Sequence, residues 1–316
     1  MTLWLNKMSF GSGAVAAFLV ISAQGLFALT DSFAPLVAND MSIWQFQAIR
    51  AALMLPVAFA VAVMFGSWQR ILPRSRGPVA LRTVLNVLAL GAYFAVLPVL
   101  PFGQAAAGFF TTPIWVVIYL SLSGGGAPDR RMWLTLGLGF GGAALAVGVG
   151  GELNPLALVP VVAGAVNAAS ILITNRHCRD EDACALLFWS IAGFLALGLV
   201  GVAVAVLADT GAMPGTTGAV LFVQPTAVGF EMLLLSAALG LSSIIGTGLL
   251  MRGYQMGKNA SVALFDYSYL VWAAVVSATI WGQAPTATGL AGLGLIMLAG
   301  MVAVAPRRRA VAIAGQ

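Results

Sequence analysis

Three charged residues lie within long apolar runs, and each is of a type that binds or carries charge where water is scarce. Asp31 sits late in the run that begins near residue 13, Arg50 a third of the way along SIWQFQAIRAALMLPVAFAVAVMFG, and Asp266 within the run that begins near residue 259. An arginine at a bilayer centre costs about 2.5–3.5 kcal/mol on insertion scales, so such residues are expected to face protein or water rather than lipid. Arg50 presents a planar fork of donors suited to a carboxylate or phosphate. At 1.5 Å per helical residue it falls about 10 Å below the outer boundary of its span, level with Asp31, whereas Asp266 falls about 10 Å above the inner one. Depth nominates Asp31 as the partner of Arg50. Two uses of the cation follow: a clasp between the first two helices, or a fork that receives an anionic group of a bound molecule. Asp266, with no cation near it in the span, has three readings: a proton carrier, a ligand for an amine, or a carboxylate exposed to an inner vestibule.

Polar residues recur at helical spacing in seven of the apolar runs, which marks the faces that turn away from lipid. Gln24 aligns with Asp31, Gln47 with Arg50, Asn86 with Tyr93, and Gly108 with Thr112, Trp115 and Tyr119. Further along, Asn167 aligns with Ser170 and Thr174, Ser236 with Gly240, Ser243 and Thr247, and Asn259 with Asp266, Tyr269 and Ser277. Hydroxyls in such stripes can also bond back to their own helix, so the stripes weigh more together than singly. The residues expected to contact a small molecule are Arg50, Asp31, Gln24 and Asp266, with Tyr93, Trp115, Tyr119, Tyr269 and Trp272 as apolar and stacking surfaces.

The elements that would carry these residues are transmembrane helices. The 316 residues are 60% hydrophobic and 8% charged, with a mean hydropathy of +0.99, which fits an integral membrane protein and no ordinary soluble domain. Spans of about 20 residues are expected near 13–35, 42–66, 79–97, 103–123, 132–150, 156–174, 184–207, 226–251, 259–281 and 286–305. Gly- and Pro-containing connections such as LPRSRGP and GGELNP separate them. With the N-terminus inside, every Lys and Arg except Arg50 falls on one side, so both termini are expected in the cytoplasm of a bacterial inner membrane.

An odd number of crossings per half puts the halves in opposite orientations. A shift of 157 residues lays Tyr269 over Thr112, Trp272 over Trp115, and Ala260 and Val262 over Gly103 and Ala105. The expected organisation is therefore all-α, two inverted five-helix repeats around a central cavity: 1–153, then 154–306 from a midpoint near Asn154, then a short basic cytoplasmic tail at 307–316. The fifth and tenth runs offer almost only small residues beyond their first turns and read as peripheral. Gly137 and Gly141 would serve either a homodimer face or, more simply, packing within the monomer.

Other classes find little support. The net charge of +5 is not gathered into a surface of the kind nucleic acid requires. Cys178 and Cys184 with His177 are too few for a closed zinc site and read as reduced loop cysteines, so neither metal nor cofactor is expected. The first run exceeds a signal-peptide core and reads as the first span. There is no GxxxxGK[ST] loop for ATP, no HExxH, no GxSxG, and the sole histidine lies in a loop, which argues against an intramembrane enzyme. A channel would be expected to show a charge ring or a selectivity loop.

The order of segments resembles a known family. FALTDSFAPLVANDMSIWQFQAIRAAL, ITNR at the end of the sixth run, and RGYQMGKNASVALFDYSYLVWAAVVSATIWGQAPTATGLAGLGLIMLAG look like the drug/metabolite transporter superfamily of EamA type, over nearly the whole chain. The resemblance implies secondary transport of amino-acid-, nucleoside- or vitamin-like metabolites or drugs. The Asp late in the first helix, the Arg in the second and the aromatic pattern of the ninth are similar to a branch with riboflavin-type and S-adenosylmethionine-type carriers, but this chain has Pro35 where that branch often has Lys.

Overall fold

The computed structural model describes residues 12–33, 37, 40–64, 66–96, 108–123, 129–147, 155–208, 224–256, 265–280, 282 and 286–304. The expected midpoint Asn154, Pro35, Asn259, the overlays of Ala260 and Val262 on Gly103 and Ala105, and the tail lie outside these residues. Ten α-helices are described: α1 (Ser12–Ser32), α2 (Ile43–Met64), α3 (Arg76–Val96), α4 (Thr112–Leu122), α5 (Arg130–Val147), α6 (Leu158–His177), α7 (Ala183–Ala208), α8 (Phe230–Met256), α9 (Ser268–Ile280) and α10 (Ala287–Val304). Six of them, α1, α2, α3, α6, α7 and α8, are long and apolar enough to cross a membrane. At 1.5 Å per residue, α3, with 21 residues, spans about 30 Å, the thickness of a hydrocarbon core. The chain is thus a membrane-embedded all-α protein.

Helix starts follow from local chemistry. Ser42, Asp129 and Thr286 each precede a helix and accept from the backbone N–H three residues on, at 3.1, 2.8 and 3.1 Å. Asp182 caps α7 through the N–H of Cys184 at 2.9 Å. Its carboxylate also takes both prongs of Arg70, at 2.6 and 3.1 Å. Burial alone would push the Asp182 carboxyl up; the Arg70 fork and the Cys184 N–H outweigh it and hold the group below the usual carboxylate range. Next to it, Glu181 accepts from the N–H groups of Arg74 and Ser75 ahead of α3, and Gln255 of α8 donates to the carbonyls of Cys178 and Glu181. The α6–α7 connection therefore ties three helices together. Cys178 is free and fully buried there, against Val79, Leu186 and Met251, which places it inside the protein rather than in an open loop.

The sides of the helices sort as a lipid solvent demands, apolar outward and polar inward. Leu81 is 52% exposed while its neighbour Arg82 is 1% exposed. Helices α1 and α8, α2 and α7, α3 and α6, and α5 and α10 form the most extensive pairs. Each runs antiparallel, as shown by Gly253 beside Val20 with Gly246 beside Phe27, Gly201 beside Trp44 with Gly198 beside Ala48, Arg82 beside Thr174 with Asn86 beside Asn167, and Arg131 beside Val302 with Gly142 beside Gly292. Helices α3 and α7 run parallel, with Gly193 beside Val87 and Gly91 beside Leu197, as do α4 and α6, with Gly108 beside Pro160 and Thr112 beside Gly164. The α2–α7 approach needs glycine: a Cβ on Gly198 would lie 2.6 Å from the backbone nitrogen of Ala48. In α5 the close packing comes from Gly142, where a Cβ would lie 2.7 Å from the carbonyl oxygen of Gly292, and from Gly139, where it would lie 2.6 Å from the Tyr267 ring, and not from Gly137 or Gly141, which have nothing within 4 Å.

Candidate functional site

The central helices enclose a cavity of about 220 Å³, lined by side chains of α1, α2, α3, α4, α6, α7, α8 and the segment of α9 with the turn that precedes it. Helices α5 and α10 contribute none of the lining and pack on each other at the side, through Gly142 and through the Arg131 guanidinium, which donates to the carbonyl of Val302. Polar faces on α1, α2, α3, α4, α6, α8 and the α9 segment follow the stripes seen in the sequence. The added contributor is α7, through Ser190, Ile191 and Phe194.

At one end of the cavity lie Asp31 and Arg50. They do not form a direct ion pair. Arg50 Nη1 donates to Ser243 Oγ at 3.2 Å, and the guanidinium carbon lies 5.2 Å from the Phe46 ring centroid. Asp31 Oδ2 accepts from the Tyr269 hydroxyl at 2.9 Å. The pair expected from depth is replaced because α8 and α9, which depth alone does not place, pack against α2 and α1 and bring neutral partners nearer. Both charges line the cavity.

Farther along, Asp266 is answered by neutral donors. Gln24 Nε2 donates to its Oδ1 at 2.7 Å, and the Tyr254 hydroxyl lies 2.9 and 2.8 Å from the two carboxylate oxygens, donating to one at a time. Gln24, expected on the face of Asp31, thus serves the other aspartate. Asp266 is buried, and the turn of residues 265–267 ahead of α9 sets it toward α1 and α8.

Arg82, expected among the inner-side cations, lines this same cavity. Its Nε donates to Thr174 Oγ1 at 3.1 Å, and its Nη1 donates to the Leu186 carbonyl at 3.3 Å and to Ser190 Oγ at 2.6 Å. Ser170 Oγ donates to the Arg82 carbonyl at 3.1 Å, and Asn86 Nδ2 donates to Asn167 Oδ1 at 3.3 Å one turn further along α3 and α6. A signal for Arg82 existed: it stands four residues before Asn86, on the face that continues to Tyr93. Tyr254 had a weaker one, since the expected eighth span stopped at 251, whereas α8 runs on to Met256.

The expected aromatic surfaces divide. Tyr93 and Tyr269 line the cavity, in tilted ring contact with Phe109 at 4.9 Å and Phe110 at 5.4 Å between centroids. Trp115, Tyr119 and Trp272 do not line it. Trp115 and Tyr119 pack with Val116, Ala168 and Ile171, and Trp115 Nε1 donates to Thr111 Oγ1 at 3.2 Å. They share a helix face with Thr112, but a face runs the length of a helix and the cavity occupies only part of it. Trp272 is 39% exposed, covers Gly25, and donates to the Ile21 carbonyl at 3.1 Å, so its polar edge is satisfied on the flank of α1 instead.

No family model and no curated protein matches the chain. Solved structures do: one crystal structure superposes with a TM-score of 0.68 at 16% sequence identity, over 93% of this chain and 97% of that one. At that identity the likeness is one of fold, and it extends over nearly the whole of both chains.

Proposed function

We propose that the protein is a secondary transporter of a small organic metabolite, amino-acid-, nucleoside- or vitamin-like or a drug, of the EamA type within the drug/metabolite transporter superfamily, working by alternating access. The observation that carries this reading is the central cavity. Buried arginines, carboxylates and amides from separate helices converge on it, and a bundle held together for structure alone would be cheaper to fill with apolar side chains. Its volume of about 220 Å³ lies below the usual range of drug-sized pockets, which suits a small metabolite.

In this reading the ten helices are ten spans in two inverted repeats, 1–153 and 154–306. The pairing pattern supports it. The eight most extensive helix pairings map onto one another when each helix is exchanged with the one five places away: α1·α8 with α3·α6, α1·α9 with α4·α6, α2·α8 with α3·α7, while α2·α7 and α5·α10 map onto themselves. The antiparallel and parallel directions above are those of helices that cross alternately. Rocking of one repeat against the other would open the cavity first to one side and then to the other.

Counterflow tests the transport reading. Purified protein in liposomes loaded with candidate metabolites should exchange a labelled one against its own gradient, and Arg50→Ala or Arg50→Lys should lower that exchange at least tenfold in protein that still folds, since neither keeps the fork. Flux that follows the gradient with no exchange would overturn the carrier. Orientation, with both termini in the cytoplasm of a bacterial inner membrane, is tested by cysteine labelling. Because Cys178 is fully buried, the native thiol is a poor reporter. In a Cys184→Ser background, Asp180→Cys should resist an impermeant thiol reagent in intact cells while Asp40→Cys reacts; the reverse pattern overturns the orientation.

A further inference from the structure

We propose that Arg82 is an anion-binding post, and that the molecule carried is a small organic acid with an apolar or aromatic body. This rests on the transporter reading and names the substrate class for its cavity. Arg82 is 1% exposed yet lines the cavity. Its three hydrogen bonds go to two hydroxyls and one carbonyl, all neutral, and they occupy only Nε and Nη1. A guanidinium has five N–H donors. Among the described residues Nη2 has no hydrogen-bond partner, and no carboxylate contacts the group. A buried cation with neutral partners and a free prong needs an anion more than any other ligand, and a carboxylate or phosphate oxygen supplies the charge-assisted bond that is missing.

A second observation points the same way. Arg50 of α2 donates to Ser243 of α8, and Arg82 of α3 donates to Ser190 of α7. The pairings α2·α8 and α3·α7 are the ones that exchange when each helix is replaced by its counterpart five places away. The two arginine–serine contacts therefore fall in counterpart pairings with the roles exchanged: Arg50 stands on α2, whose counterpart α7 carries Ser190, and Ser243 stands on α8, whose counterpart α3 carries Arg82. The acidic group of a substrate can be held by either, Arg50 toward the Asp31 end and Arg82 toward the α6–α7 connection. Neither aspartate bonds directly to an arginine, since Asp31 is bonded by Tyr269 and Asp266 by Gln24 and Tyr254; Asp31 is near enough for its charge to act on Arg50, whereas among the described residues no aspartate charge acts on Arg82. The lining of the cavity is also aromatic, with Phe94, Phe109, Phe110 and Phe194 among its residues, and this favours an acid with a flat apolar body.

Binding to the purified protein, not flux, is the test, so that its outcome separates from that of counterflow. Thermal unfolding in detergent is followed with benzoate, phenylacetate and phenyl phosphate, with benzamide and phenylacetamide as uncharged counterparts and benzylamine as the cation. At least one acid should stabilise the protein where its uncharged counterpart does not, and the carboxylate and phosphate arms tell which acidic group is preferred. Arg82→Gln should weaken that acid about tenfold to a hundredfold, the scale of a lost charge-assisted bond. Arg82→Lys, which keeps the charge without the fork, should retain part of the binding and serves alone if the glutamine variant does not fold. No acid binding better than its uncharged counterpart, or an acid preference undiminished in folded Arg82→Gln or Arg82→Lys, overturns the proposal and leaves Arg82 as a tie from α3 to α6 and α7. Acid binding with no counterflow would sustain the post and overturn the transporter.

Discussion

Two antiparallel helix pairs in this protein are built on opposite principles. The α5–α10 pair stands at the side of the bundle, and its closest approach is glycine against backbone, with Gly142 over Gly292, Leu295 and Ile296. The α3–α6 pair lines the cavity, and its contacts are Arg82 to Thr174, Asn86 to Asn167 and Ser170 to the Arg82 carbonyl. In lipid an apolar helix gains nothing by burying apolar surface, so a peripheral pair depends on close van der Waals fit. A pair beside a polar cavity can use hydrogen bonds, because its alternative is an unsatisfied group. The difference separates a region whose tolerances are steric from one whose tolerances are chemical.

Substitutions on each side should break in their own way. The largest loss is expected for Gly142→Leu: the nearest obstacle is the carbonyl oxygen of Gly292, which cannot rotate aside, so the variant should lose about 3 kcal/mol in denaturant unfolding from detergent. Gly141→Ala, one residue away and facing open space, should change nothing; equal losses at the two positions would refute the assigned packing. Thr174→Val conserves shape and removes the acceptor of Arg82 Nε. It should cost about 1–3 kcal/mol, the penalty of a buried donor left without a partner, and an unchanged midpoint would show that water replaces the hydroxyl.

Smaller effects sharpen the contrast between direct and indirect contacts. Because Arg50 and Asp31 bond to Ser243 and Tyr269 rather than to each other but their charges still interact, a double-mutant cycle of Arg50→Ala with Asp31→Ala should give a coupling energy of about 1–2 kcal/mol, below that of a direct buried pair. A larger coupling would restore the clasp between α1 and α2. The smallest effect is expected at the surface pair, Arg70 and Asp182, whose side chains are 36% and 27% exposed. Asp182→Asn should cost less than about 1 kcal/mol, reduced further by salt. Its carboxyl is held lower in the folded protein than in the unfolded chain. The contribution is therefore fully present above the unfolded carboxylate pKa of about 3.9 and is lost as pH falls through the lower folded value. A stability difference between native protein and Asp182→Asn that grows toward acid would contradict this sign.

That this is a helical membrane protein is legible from composition and run length, because both report directly on the solvent a segment can tolerate. The sequence also marked the polar faces: Asn86, Asn167, Ser170, Thr174, Gly240, Ser243 and Thr247 stand at helical spacing and do line the cavity. It set α5 and α10 apart, since runs of small apolar residues offer a cavity nothing to bind with. Which side chain partners which depended on how the helices pack. Depth along a span is a one-dimensional quantity, and it put Arg50 level with Asp31 without showing that α8 and α9 would present Ser243 and Tyr269 to them. A stripe is likewise unbounded along its helix, so Trp115 and Tyr119 shared a face with Thr112 while packing beyond the cavity, and Trp272 found a carbonyl on the flank of α1. Arg82 looked like a cation near a helix end because its depth within the bundle depends on α6 and α7, helices it meets 92 to 108 residues away in sequence. Contacts made across such separations leave no local pattern, and a burial that depends on them can be read only after the chain has folded.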